Sequence, residues 1–143
     1  MKKVRITYGL LSSLFLIIGI VIYLLFRDLS NLIFFTWVPK PEFVGNLFIQ
    51  LPPSVFTSVL RHNMAGMLWL VAGILFFRFI WFYRVAAQKV YIWCFCGIAA
   101  LLEIGQLSAR IPGTFDLLDL LFMGIGAFVE GLLYNIYVKR RIE

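Results

Sequence analysis

Charge is what this chain has least of: 14% of its 143 residues are Asp, Glu, Lys or Arg, against about 25% in a soluble domain. Histidine occurs once and cysteine twice. That scarcity, beside 62% hydrophobic and 17% aromatic residues, excludes a soluble enzyme, a disordered chain and a collagen-like or linker-rich array. Cys94 and Cys96 fall inside one apolar run, so no disulfide framework is expected and both read as small core residues. No zinc-ligand spacing surrounds His62, no internal repeat is evident, and no cofactor is expected.

What the chain does have is long apolar runs. A hydrocarbon core about 30 Å thick needs about 20 residues at 1.5 Å each. Four runs meet that requirement, at residues 8–26, 64–83, 90–109 and 116–138. Backbone groups without water must bond within their own segment, and the runs are too long and uniform for barrel strands. The expected fold is all-α, an integral membrane bundle of four transmembrane helices in a single domain, 1–143. The first run exceeds the roughly 7–15 residues of a signal-peptide core, and Phe26-Arg27-Asp28-Leu29 offers no small-residue cleavage site, so it is read as a retained anchor.

The formal charge of +6 reads as a topology code rather than a nucleic-acid footprint. Lys2, Lys3 and Arg5, then Arg84 and Lys89, then Lys139, Arg140 and Arg141 flank the runs on one side, opposite Arg27, Lys40, Arg61 and Arg110. The positive-inside rule makes the first set cytoplasmic, with both termini inside. The outer segment 27–61 is apolar and aromatic in its first part and broken by Pro39, Pro41, Pro52 and Pro53, which suits an interfacial path, with a helical turn or two from Ser54 to Leu60.

Helical spacing of 100° per residue groups Cys96, Ala99, Glu103, Gln106 and Arg110 on one face of the third run. It aligns Asp116, Asp119, Met123, Gly126, Glu130 and Tyr137 within about 80° on the fourth. An ionisable residue at membrane depth needs a partner, protonation or water, so the two stripes are expected to face each other across the short connection 111–115. Arg61, His62 and Asn63 reach the same level from the second run. The expected ligand-binding cluster is therefore Arg61, His62, Asn63, Glu103, Gln106, Arg110, Asp116 and Asp119. Trp69 is expected to wall it and Gly73 to leave a gap.

Plainer roles stand beside this one. Asp116 and Asp119 open a helix, where carboxylates cap orphan amides, and Glu103 with Gln106 would also serve as a packing pair between helices. Glu130 lies toward the cytoplasmic half, with Asn135 or a neighbouring chain as candidate partner. Arg78 points some 160° from the His62 face and is expected to snorkel to the inner interface.

Glu103-Ile104-Gly105-Gln106, a short turn, then Phe115-Asp116-Leu117-Leu118-Asp119 and Gly126 resemble the signature of the VanZ-like family of small bacterial membrane proteins, over about His62 to Tyr134. Gly113, Met123 and Glu130 stand where that pattern has Arg, Asn and Gly. The resemblance implies a multi-pass protein of the bacterial plasma membrane, whose namesake is linked to resistance to teicoplanin-type glycopeptides. The expected function is a binding or protective role in the cell envelope, with a lipid-linked precursor head group or a glycopeptide as partner beside the bilayer itself, and no nucleic acid. One alternative is an intramembrane carboxylate-dependent enzyme acting on a lipid-linked substrate, although no nucleophile is evident: Ser108 lies about 140° from Glu103. A proton pathway through Glu103, Asp116 and Glu130 is a third.

Overall fold

The computed structural model describes residues 2–26, 49, 52, 54–108 and 115–136, apart from the side chain of residue 61. All secondary structure among them is helical: α1 (Lys2–Phe26), α2 (Val55–His62), α3 (Met64–Ile80), α4 (Val85–Gly105) with a 3₁₀ turn (Gln106–Ser108), and α5 (Leu117–Tyr134). The expected interfacial segment up to residue 48, the connection 109–114, Arg110 and the C-terminal basic residues lie outside the described residues.

Among the described residues, three helices are long and apolar enough to cross a membrane. They are Lys2–Phe26, with an 18-residue stretch of mean hydropathy 2.6, and Val85–Ser108 and Leu117–Tyr134, each with an 18-residue stretch of 1.7. The second expected span is shorter than its apolar run, because Trp81, Phe82 and Tyr83 leave the helix as a turn and α3 ends at Ile80 after 17 residues. By rise it measures about 25 Å. The outer surfaces of the helices are strongly apolar, with Leu10, Trp93, Leu101 and Phe128 among the most exposed side chains. A water-facing domain does not carry so continuous an apolar surface.

α3 is the centre of the assembly. It is apolar on every face, and Ala65, Leu68, Leu70, Ala72, Ile74, Leu75 and Arg78 are buried along it. Small residues let α1 approach it closely: the Ser12 hydroxyl donates to the Ala72 carbonyl at 2.8 Å, and the Trp69 indole lies where a Cβ on Gly19 would be. Trp69 thus faces α1, where its ring is also 5.3 Å from that of Tyr23, and it is not a wall of the polar cluster. Gly73 leaves no gap either, because the Phe95 ring of α4 fills the space beside it. Trp81 and Tyr91 stack at 5.1 Å and Phe77 and Tyr91 at 5.8 Å, closing the α3–α4 corner.

The stripe on α5 faces α3, not α4. A Cβ on Gly126 would lie 2.9 Å from Met67 Cγ and from Val71 Cγ2, and Glu130 likewise reaches an α3 residue. α4 and α5 meet mainly at the end where Glu103 bonds to Asp116. The expected core cysteines are also corrected: Cys94 is exposed and Cys96 half-buried, since α4 turns Phe95 rather than Cys94 into α3.

Candidate functional site

Local chemistry sets up the end of the bundle that carries Asn63. Ser54 caps α2, its hydroxyl accepting from Thr57 N at 3.1 Å while the Thr57 hydroxyl accepts from Ser54 N at 2.9 Å. This reciprocal pair starts the helix after the prolines, where a helical turn or two from Ser54 to Leu60 was expected. α2 stops at His62, and Asn63 joins it to α3, its N–H donating to Val59 O. On α5 the Asp116 carboxylate caps the helix, accepting from Leu118 N at 2.9 Å.

Three helices deliver polar groups to this end. Asn63, 2% exposed, donates from Nδ2 to Asp119 Oδ1 at 2.7 Å. Glu103, 8% exposed on the last turn of α4, accepts from Asp116 N at 3.2 Å through Oε1 and from Gln106 Nε2 at 3.1 Å through Oε2. Five of the eight expected residues, Asn63, Glu103, Gln106, Asp116 and Asp119, are thereby joined in two linked sets. His62 is exposed on α2. Arg110 and the side chain of Arg61 lie outside the described residues. Among the described residues, the carboxylates form no grouping suited to a metal ion.

The arrangement concentrates negative charge where carboxylate oxygens keep lone pairs beyond those already bonded. Asp116 stabilises the positive N-terminus of α5, and among the described residues Asp119 is held by the Asn63 amide. A ligand presenting hydroxyl, amide or ammonium donors matches this chemistry better than a bare anion. Searches for relatives add nothing to the geometry: no protein-family model, curated protein or solved structure matches the chain.

A second polar centre lies at the opposite end, and it overturns the expectation for Arg78. The guanidinium does not snorkel. It is buried, with Nη2 donating to Glu130 Oε2 at 2.8 Å and Nε donating to Oε1 of the same carboxylate. Nη1 donates to Gln88 Oε1 at 3.0 Å, and the Tyr134 ring lies 3.6 Å from Arg78 Cζ. Gln88, 1% exposed, returns a bond of 3.4 Å from Nε2 to the Arg78 carbonyl. Glu130 is therefore paired within the chain, not to Asn135 or a neighbouring molecule, and α3, α4 and α5 are tied together by one network.

A signal for this network existed in the sequence. Measured from His62, Arg78 points far away, but measured from Asn63 it is only about 60° off, and Asn63, Met67, Val71, Ile74 and Arg78 repeat at spacings of three or four. Asp119, Met123, Gly126, Glu130 and Tyr134 repeat in the same way. Two such seams running side by side place Arg78 about 22 Å below Asn63 and Glu130 about 16 Å below Asp119. The long arginine stem covers the difference.

Proposed function

We propose that this chain is a VanZ-like integral membrane protein of the bacterial plasma membrane, crossing it four times with both termini cytoplasmic. Its Asn63 end faces outward. There the acid and amide cluster engages the polar head group of a lipid-linked envelope precursor, and so influences susceptibility to glycopeptide antibiotics. The observation that carries this reading is the convergence of Asn63, Glu103, Asp116 and Asp119 from α3, α4 and α5 at a single end of the bundle. Buried or half-buried carboxylates at a membrane boundary are expensive to keep unless they are used, and donors such as sugar hydroxyls or peptide amides complement them.

The uneven placement of lysine and arginine supports the orientation, and the outer apolar surfaces support residence in a bilayer. α3, at 17 residues, spans a core of about 30 Å when its aromatic turn sits at the interface and the bilayer thins slightly around it. The test is expression in a glycopeptide-susceptible bacterium. Teicoplanin sensitivity should change with the wild-type chain and return to the control level with Glu103→Gln, Arg110→Ala and Asp119→Asn, each inserted at normal levels. Unchanged sensitivity with the wild type and all three variants defeats the proposal. Labelling of single cysteines at positions 61 and 84 from outside intact cells should mark only the first.

A further inference from the structure

Away from the acid cluster, α1 and α5 both pack on α3, and the space between them is a half-enclosed groove of about 880 Å³, a size that takes a substantial ligand. Along most of its length the lining is apolar, with Leu11 and Phe15 of α1, Val71 of α3, and Ile125 and Val129 of α5. The polar groups gather at one end. There Tyr8, Glu130 and Tyr134 line it, and Tyr8, Tyr134 and Phe82 pack in one cluster. Tyr8 lies about two turns into α1 and Tyr134 closes α5, so in a bilayer this end is toward a boundary and the apolar end toward the middle.

Charge and hydrogen bonding at the polar end select what it can hold. Among the described residues that line the groove, Glu130 alone is charged, and Arg78 holds both of its oxygens. An ionic head group would lose its hydration there and meet no free counter-charge. An uncharged one is accepted. Tyr8 is 7% exposed and Tyr134 8%, yet neither hydroxyl has a hydrogen-bond partner among the described residues. Buried hydroxyls are rarely left so. The Thr7 hydroxyl, which also lines the groove, is already bonded to Lys3 O at 3.0 Å. The groove therefore offers two idle O–H donors from one aromatic cluster, and its ligand should bring an acceptor.

We propose that this groove binds a prenylated quinone, its ring among Tyr8, Phe82 and Tyr134, a ring carbonyl accepting from the two tyrosine hydroxyls, and its tail between α1 and α5. A carbonyl oxygen has two lone pairs and can take both bonds. The Tyr8 and Phe82 rings, 6.2 Å apart and tilted by 51°, give a flat ring the faces and edges that aromatic contacts favour. An acylglycerol, the other kind of uncharged lipid with acceptor oxygens, makes no use of them. No residue of the outward cluster lines the groove, so the site stands or falls apart from that cluster.

The test is titration of the full-length protein, in phosphatidylcholine nanodiscs, with decylubiquinone. The wild type should bind it saturably, and the infrared carbonyl band of the bound quinone should fall below its position in protein-free nanodiscs. Tyr8→Phe and Tyr134→Phe keep both rings, including the one over Arg78. Each should weaken binding about fivefold, as the loss of one neutral hydrogen bond does, and in the double variant the carbonyl band should return to its position in lipid. Val129→Trp, at a position 46% exposed, should fill the groove and abolish saturable binding, whereas Leu101→Trp, on the exposed face of α4, should match the wild type. Uptake no greater than that of protein-free nanodiscs overturns the proposal. So does wild-type affinity in the double tyrosine variant or in Val129→Trp, and so does displacement of the quinone by equimolar dioleoylglycerol or phosphatidylglycerol.

Discussion

Arg78 and Glu130 face each other squarely, guanidinium to carboxylate, with both oxygens engaged and the Tyr134 ring against the cation. The pair ties α3 to α5 at the end opposite the Asn63–Asp119 bond, so the two helices are pinned at both ends with Gly126 in close contact between.

Breaking this pair from one side should be severe. Arg78→Met or Glu130→Met alone strands a buried charge and should lower stability by about 3–5 kcal/mol, whereas the double substitution should restore most of the loss. Unfolding of the purified chain in micelles, followed by circular dichroism, measures both. Equal destabilisation by the single and double variants would remove the ion pair as the cause.

The amide bridge at the other end should be weaker. In a double-mutant cycle with Asn63→Ala and Asp119→Ala, the coupling between the two side chains should be about 0.6–1.7 kcal/mol, the range for hydrogen bonds between membrane helices. A coupling near zero would mean that the bond does not hold the helices together.

Glycines on α5 should separate into two kinds. Gly126→Ala forces a methyl against Met67 and Val71 and should cost about 1–3 kcal/mol through overpacking. Gly124→Ala and Gly131→Ala meet open space and should be neutral or stabilising by up to about 1 kcal/mol, since alanine favours the helix. Unfolding midpoints of the three variants rank them directly.

Loss of the Asp116 cap should act locally. Asp116→Ala removes the acceptor for Leu118 N and should destabilise the start of α5 by ~1 kcal/mol. Hydrogen exchange should accelerate at Leu118 and its neighbours while the middle of α5, around Ile125, stays protected.

The helices were legible because each apolar run is long enough to admit only one secondary structure in hydrocarbon. α1 was underestimated at its start: Lys2, Lys3 and Arg5 continue the helix from Lys2, as basic side chains with long stems can do without burying charge. The meeting of Glu103 with Asp116 followed from the shortness of the chain between them. Which helix stands between which was harder. Periodicity shows that a stripe must face a neighbour but not which neighbour, and α3, apolar all round, gave no preferred face by which to place it at the centre. Arg78 was misassigned for that reason: judged against His62 it pointed at lipid, while judged against Asn63 it pointed along the seam to Glu130. Trp69 and Gly73 were misjudged in the same way, because the rings that meet their helix come from α1 and α4.

The spacing of Arg78 and Glu130, 52 positions apart in the chain, also bears on biogenesis. During translation the guanidinium emerges before its counter-ion has been made, and an arginine within an apolar segment disfavours release into lipid by roughly 2.5–3.5 kcal/mol. Under the proposed four-span topology, α3 is therefore poorly equipped to partition alone and should depend on the translocon, or on α1, until α5 arrives. Polypeptides arrested before Glu130 should remain extractable or be degraded, while those extended past Tyr134 become resistant.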